Sequence, residues 1–260
     1  MTHRVPSGCR PFAAYVRLAF LQWLAWRAFA LTLMVNQAIT PLIGLAVWTA
    51  ALPGRPAIST YYVGLLLVQL LTVSYEYHTF SNRIYGGELA DDLLRPHAVV
   101  LRPLGENVAL RLWHLLLALP LLAVLPLLVR VDVSGERLGL AVPALLLAGM
   151  LRFLFTYTLA LSALWTDRAG GVVGAGESLV FLLGGGAAPL ALMPGSLRDL
   201  GVGLPFRSMY GFPAEVGAGW MGPAGLAAGY GWQLAWLGFL ALLAALVWRA
   251  GVRRYTAVGG

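Results

Sequence analysis

The chain contains no lysine and a single cysteine. All 18 of its basic residues are arginine, and Cys9 is the only thiol in 260 residues. A Walker A phosphate loop needs a lysine, so the chain does not hydrolyse ATP by that route. Schiff-base and Ser-Lys catalysis are excluded on the same ground. One cysteine allows neither an internal disulfide nor a thiolate metal cage, and the four histidines lack metal-ligand spacing.

Charge is also scarce. Charged residues make up 11% of the chain, against about 25% in soluble domains, while hydrophobic residues make up 59% and the mean hydropathy is +0.77. A water-soluble fold of this size cannot hide so much apolar surface, so most of the chain must face lipid. In such a protein the net charge of +7 indicates arginines at the cytoplasmic leaflet rather than a nucleic-acid partner.

The apolar runs predict an all-α integral membrane protein with a single transmembrane domain over residues 1–260. A helix needs roughly 20 apolar residues to cross a bilayer. Six stretches meet this requirement: about Phe29–Leu52, Ile58–Phe80, Val108–Val129, Leu138–Trp165, Ser178–Met193 and Tyr230–Trp248.

The arginines predict the orientation of these six spans. If the N-terminus lies inside, cytoplasmic segments carry 12 arginines and external segments carry 5, with Arg152 inside a span. Because arginine is enriched in cytoplasmic loops, we expect both termini in the cytoplasm.

Two further segments are apolar but do not read as spans. Residues 11–27 combine apolar residues with Arg and Trp, which predicts a helix lying in the cytoplasmic interface; the alternative is a ragged start to the first span. Residues 194–229 are rich in Gly and Pro, which favours either an outward-facing re-entrant element or an ordinary external loop.

The loop 81–107 is the longest polar stretch. Within it, Glu88–Arg95 reads as a short helix, with acidic residues in its first turn, an arginine in its last turn and Pro96 as the stop. Two turns are too short to be stable alone, so the helix must lean on its own membrane domain or on a partner protein.

The spacing within that helix predicts its contacts. Leu89 and Leu93 are four residues apart and form an apolar ridge, while Asp91 and Arg95 have the same spacing and can pair.

The acidic residues of this loop also permit an enzymatic hypothesis. Glu88, Asp91 and Asp92 could hold Mg²⁺ and a diphosphate, as in a membrane-embedded prenyl or lipid transferase. Against this, Arg95 occupies the third acidic position of a DDxxD pattern, and no second acidic cluster follows.

Three ionisable residues fall at membrane depth. Arg152 lies near the middle of the fourth span, and Glu76 and Glu177 lie near the cytoplasmic ends of theirs. Because such groups are costly in lipid, we expect Arg152 to pair with one of these glutamates; the alternative is a polar lining of a substrate path.

Taken together, the chain resembles the permeases of type-two ABC exporters. The likeness includes the interfacial helix, the six spans and the loop sequence GGELADDLLRP. It is strongest for a bacterial subgroup with a G-x-L-x-x-x-L-x-R-P loop and an Arg/Tyr run before a final Gly-Gly. These two patterns are carried by Gly87, Leu89, Leu93, Arg95 and Pro96, and by Arg253, Arg254, Tyr255, Gly259 and Gly260.

The resemblance implies a multi-pass subunit of the bacterial cytoplasmic membrane that exports a lipophilic or amphipathic compound. It implies partner ATPase subunits that bind ATP and Mg²⁺, a second copy or a paralogous permease, and no cofactor or enzymatic activity in this chain. It also implies that the loop helix couples to the ATPase, although Ala90 replaces an acidic residue common in relatives. The coupling residues would be Glu88, Leu89, Asp91, Asp92, Leu93, Arg95 and Pro96.

Overall fold

The computed structural model describes residues 9–255, and it contains helices and connecting turns but no strand in that range. The helices are α1 Cys9–Ala25, α2 Arg27–Ala51, α3 Pro56–Thr72, α4 Asn82–Tyr85, α5 Leu89–Leu93, α6 Leu101–Leu128, α7 Gly135–Ala160, α8 Ala169–Leu183, α9 Gly195–Gly203, α10 Pro205–Met209, α11 Gly211–Gly217 and α12 Pro223–Val252. The all-α prediction is therefore confirmed.

Five helical segments are long and apolar enough to cross a membrane. They match five of the six predicted spans and comprise Arg27–Ala51, Pro56–Tyr85, Leu101–Leu128, Gly135–Leu164 and Pro223–Val252. Many of their leucines and valines are exposed, as expected where lipid replaces water.

The fifth predicted span, Ser178–Met193, has the wrong bounds. Its helix is α8, which covers Ala169–Leu183 and is too short to count among the spanning helices. Two glycines let α8 pack closely: a Cβ on Gly170 would lie 2.9 Å from the Tyr77 ring, and a Cβ on Gly176 would lie closer still to the Leu159 side chain. The helix ends at Gly184, and Gly185 adopts φ +99°, which favours glycine.

The second span is interrupted. Regular helix ends at Thr72, residues 73–75 are non-helical, and a π-helical turn over Tyr77–Ser81 leads into α4. The Arg111 side chain, from α6, donates to the carbonyls of Thr72 (3.3 Å) and Val73 (3.2 Å), which the break leaves without helical partners.

The N-terminal helix α1 is separate from the first span. The chain breaks at Trp26, and α1 packs along α6. The Phe20 and Trp113 rings stack at 5.0 Å, and Trp113 Nε1 donates to the Phe20 carbonyl at 2.9 Å. The structure therefore gives α1 as a helix of its own, while its interfacial position and the alternative of a ragged start to the first span stay predictions.

Residues between α8 and α12 pack into the bundle. α10 and α11 are almost wholly buried, and they contact α3, α7, α8 and α12. The Gln233 amide of α12 donates to the Ser208 carbonyl at 2.9 Å, and the Tyr61 hydroxyl of α3 donates to the Gly185 carbonyl at 2.9 Å. Such packing within protein is what irregular backbone at membrane depth requires.

Candidate functional site

The predicted loop helix is shorter than the sequence suggests. It covers Leu89–Leu93 rather than Glu88–Arg95, and Leu94 forms its C-terminal cap. A tight turn precedes it, in which Gly87 adopts φ +78° and the Gly86 amide donates to the Asn82 carbonyl at 2.8 Å. Pro96 is exposed just beyond the helix end, where its missing N–H and fixed φ prevent another turn.

The two leucines of the predicted ridge have different environments. Leu89 is fully buried and belongs to the same apolar cluster as Phe80 and Ile84. Leu93 is 41% exposed, and the next residue, Leu94, is 87% exposed. The prediction that Leu89 and Leu93 form one apolar surface is therefore wrong. Leu89 packs the helix against its own membrane domain, whereas Leu93 and Leu94 form its exposed C-terminal end.

Asp92 is the electrostatic centre of the loop. Its carboxylate is 3% exposed and lies 2.7 Å from Arg83, 3.6 Å from Arg102 and 3.7 Å from Arg95. Arg102 belongs to α6, so Asp92 joins the loop helix to the start of the next span. The i, i+4 pair of Asp91 with Arg95 is wrong; Arg95 pairs at i, i+3 with Asp92, and Asp91 is exposed.

Side-chain contacts also hold the outer part of the loop in place. Glu88 pairs with Arg83 at 2.5 Å, and the Tyr255 hydroxyl, near the end of the described chain, donates to the Gly87 carbonyl at 3.0 Å. Gly259 and Gly260, which complete the terminal pattern, lie outside the described residues. Tyr255 was predicted only as part of a motif, and nothing in its spacing indicated this contact.

A tyrosine of α1 completes the cluster. Arg95 Nη1 donates to the Tyr15 hydroxyl at 2.8 Å, and that hydroxyl also lies 3.2 Å from His97 Nε2. The hydrogen bond with Tyr15 raises the pKa of the Arg95 guanidinium above its ordinary value, so this arginine stays charged. The Tyr15 contact was missed by sequence reasoning because the two residues are 80 positions apart.

Two of the three acidic residues of the loop are paired with arginines. Asp92 is enclosed by arginines, Glu88 is paired with Arg83, and the described part of the chain holds no group of three metal-ligating side chains in reach of one ion. This pairing gives no support to a transferase built on Glu88, Asp91 and Asp92.

The membrane-depth residues form a second polar region. Arg152 of α7 forms an ion pair with Glu177 of α8 and lies 5.7 Å from the centre of the Tyr210 ring. All three residues line an open cavity of about 510 Å³, which Gln69 and Thr40 also face. Of the two candidate partners of Arg152, the structure therefore selects Glu177.

Glu76, the other candidate, is held by neutral groups instead. Asn107 Nδ2 donates to one carboxylate oxygen at 2.6 Å, and the Thr156 hydroxyl donates to the other at 2.7 Å. The residue lies just after the break in the second span, so three elements (the broken segment, α6 and α7) meet at one carboxylate.

Comparison with known proteins gives one finding. The sequence profile described as ABC-2 family transporter protein matches residues 21–259, which include both polar regions and all of the loop cluster except Tyr15. No curated protein and no solved structure matches the chain.

Proposed function

We propose, from the premise that this chain belongs to the ABC-2 transporter family, that it forms the transmembrane part of an ATP-driven exporter. Membership makes it a membrane-spanning transport subunit of the kind that pairs with an ATPase subunit. The exporter would move a lipophilic or amphipathic compound outward through the bilayer, and this chain would perform no covalent chemistry.

The proposed assembly places nucleotide chemistry on another chain. ATP and Mg²⁺ would be bound by the partner ATPase subunits, in line with the absence of lysine from this chain. The permease would pair with a second copy or a paralogue in the bacterial cytoplasmic membrane. The asymmetry of 12 against 5 arginines supports cytoplasmic termini and a cytoplasmic position for α5.

The loop cluster supplies a mechanical link. A push on α5 would reach α6 through Asp92 and Arg102, and it would reach the N-terminal helix through Arg95 and Tyr15. ATP binding on the partner would thus shift the balance between inward- and outward-facing arrangements of the spans.

The proposed coupling depends on one observation, the exposure of the C-terminal end of α5. Leu94 has 87% of its surface exposed although the rest of the loop is tied to the membrane domain. A leucine side chain is worth about 1.5–3 kcal/mol when fully covered, so a partner that buries Leu94 gains substantial affinity.

The experiment compares Leu94→Asp with Leu200→Asp, a substitution at a leucine on α9 that is 54% exposed. Both variants should melt like the wild type, because neither leucine is buried. We expect Leu94→Asp to abolish co-purification with the partner ATPase, and ATP-driven transport with it. Leu200→Asp should retain both. If Leu94→Asp still binds the ATPase and transports, the coupling role is wrong.

A further inference from the structure

A second cavity lies at the junction of α1 and α2. It has a volume of about 300 Å³, opens between these helices, the broken second span and α6, and is separate from the Arg152 cavity. Its lining combines aromatic and acidic side chains. The aromatic residues are Trp23, Trp26, Phe29 and Tyr75, and the acidic residues are Glu76 and Glu106.

The two acidic residues of the cavity are only partly paired with arginines. Glu76 is 1% exposed, both its oxygens accept hydrogen bonds from neutral donors, and no arginine nitrogen lies within 4 Å of it among residues 9–255. Glu106 pairs with Arg102 through Oε1, while its buried Oε2 has no hydrogen-bond partner in that range. A buried carboxylate without a cation is unfavourable, so a cation in this cavity would be stabilised.

The aromatic residues of the cavity would also interact favourably with such a cation. The Trp23 and Phe29 rings stack across the break between α1 and α2, with centres 6.2 Å apart, and Trp26 in the break itself is 69% exposed. The faces of aromatic rings attract cations, and indole attracts them most strongly. A ring-bearing ammonium would therefore meet favourable groups of both kinds in the cavity.

The Arg152 cavity makes an instructive contrast. There the carboxylate of Glu177 is already paired with Arg152, so the site offers little net attraction to a cation. The smaller cavity has acidic residues in its lining with no arginine on Glu76, and 300 Å³ is at the lower end of the range for small-molecule sites.

We propose that the cavity between α1, α2 and α6 binds small hydrophobic organic cations, with Glu76 supplying the charge and Trp23 and Trp26 the aromatic faces. This proposal rests on the proposed export function, because it assigns such cations as the class of compound the permease admits. Binding itself needs no ATPase, so the two proposals fail separately.

The test measures binding to the purified full chain in lipid nanodiscs, without ATPase, by equilibrium dialysis against empty nanodiscs. The probes are benzyltrimethylammonium and benzylsulfonate, which have similar size and opposite charge. The variants are Glu76→Gln, which removes the charge, and Trp26→Leu, which removes an exposed ring that makes no hydrogen bond in the described structure. The matched control is Glu136→Gln, which removes an exposed carboxylate at the far end of α7.

We expect the cation to bind the wild type and the anion not to bind above the lipid background. Glu76→Gln should weaken cation binding about tenfold, Trp26→Leu about threefold to fivefold, and Glu136→Gln not at all. Equal binding of both probes, or unchanged cation binding in Glu76→Gln, would overturn the proposal. Cation binding that is intact without any ATP-driven transport would instead count against the export function alone.

Discussion

Two carboxylates in this protein are almost equally buried, Asp92 at 3% and Glu76 at 1% exposure, and their surroundings differ completely. Asp92 has three arginines within 4 Å, drawn from the end of the second span, the loop and α6. Glu76 has an asparagine and a threonine. Because a buried charge needs compensation, we interpret the first carboxylate as a structural joint and the second as part of the proposed cation site.

The different surroundings of Asp92 and Glu76 suit different roles. The Asp92 cluster holds the loop on the membrane domain, which in the proposed function lets the exposed end of α5 transmit a force. Glu76 instead faces a cavity with aromatic residues in its lining, beside the break in the second span. The same residue class therefore has a proposed mechanical role in one place and a proposed binding role in the other.

Removing the charge of Asp92 should have the largest effect on stability. Asp92→Asn leaves three arginines around a neutral amide, and breaking a buried ion pair costs about 3–5 kcal/mol. We expect a large fall in the melting temperature of the detergent-solubilised chain and faster proteolysis within the loop 81–107.

Glu76→Gln is the matched comparison. A glutamine can accept from Asn107 and donate to the Thr156 hydroxyl, which is then free to donate its own proton to the Arg152 carbonyl at 2.8 Å. Its melting temperature should equal or exceed that of the wild type. If Asp92→Asn melts like the wild type, or Glu76→Gln falls as far as Asp92→Asn, the contrast between the two carboxylates is wrong.

The Arg152–Glu177 pair is a third case, in which the carboxylate has an arginine partner but is partly exposed. Its glutamate has 35% of its side chain exposed, and its arginine has 5%. In a double-mutant cycle with Arg152→Leu and Glu177→Leu, we expect a coupling energy of about 0.5–3 kcal/mol in unfolding measurements. Simple additivity of the two single variants would show that the pair contributes nothing as a pair.

Sequence patterns predicted the long spans because a run of apolar residues reports directly on lipid exposure. They did not predict the break after Thr72, since that segment contains neither glycine nor proline. There the freed carbonyls are satisfied by Arg111, which comes from another helix. The start of α8 at Ala169 was missed because residues 169–176 contain four glycines, which have low helix propensity; two of them, Gly170 and Gly176, lie against Tyr77 and Leu159.

At the candidate site, too, the sequence predicted some features and not others. The motif located the loop helix, but helical spacing allowed both Asp91 and Asp92 to reach Arg95. Arg83 and Arg102 decide the outcome, because they approach from elements that flank the helix and bury Asp92. Likewise, spacing grouped Leu89 with Leu93, whereas the contact of Leu89 with the Phe80 cluster depends on tertiary packing.

The most direct test of the account is a photo-crosslink from the exposed end of α5. A benzophenone amino acid at position 94 should crosslink to the ATPase subunit when the two are co-expressed in membranes, and the same amino acid at position 200 should not. The account predicts an ATPase adduct from position 94 alone. Adducts from position 200 with none from position 94 would contradict it, because the ATPase would then lie against the opposite end of the bundle.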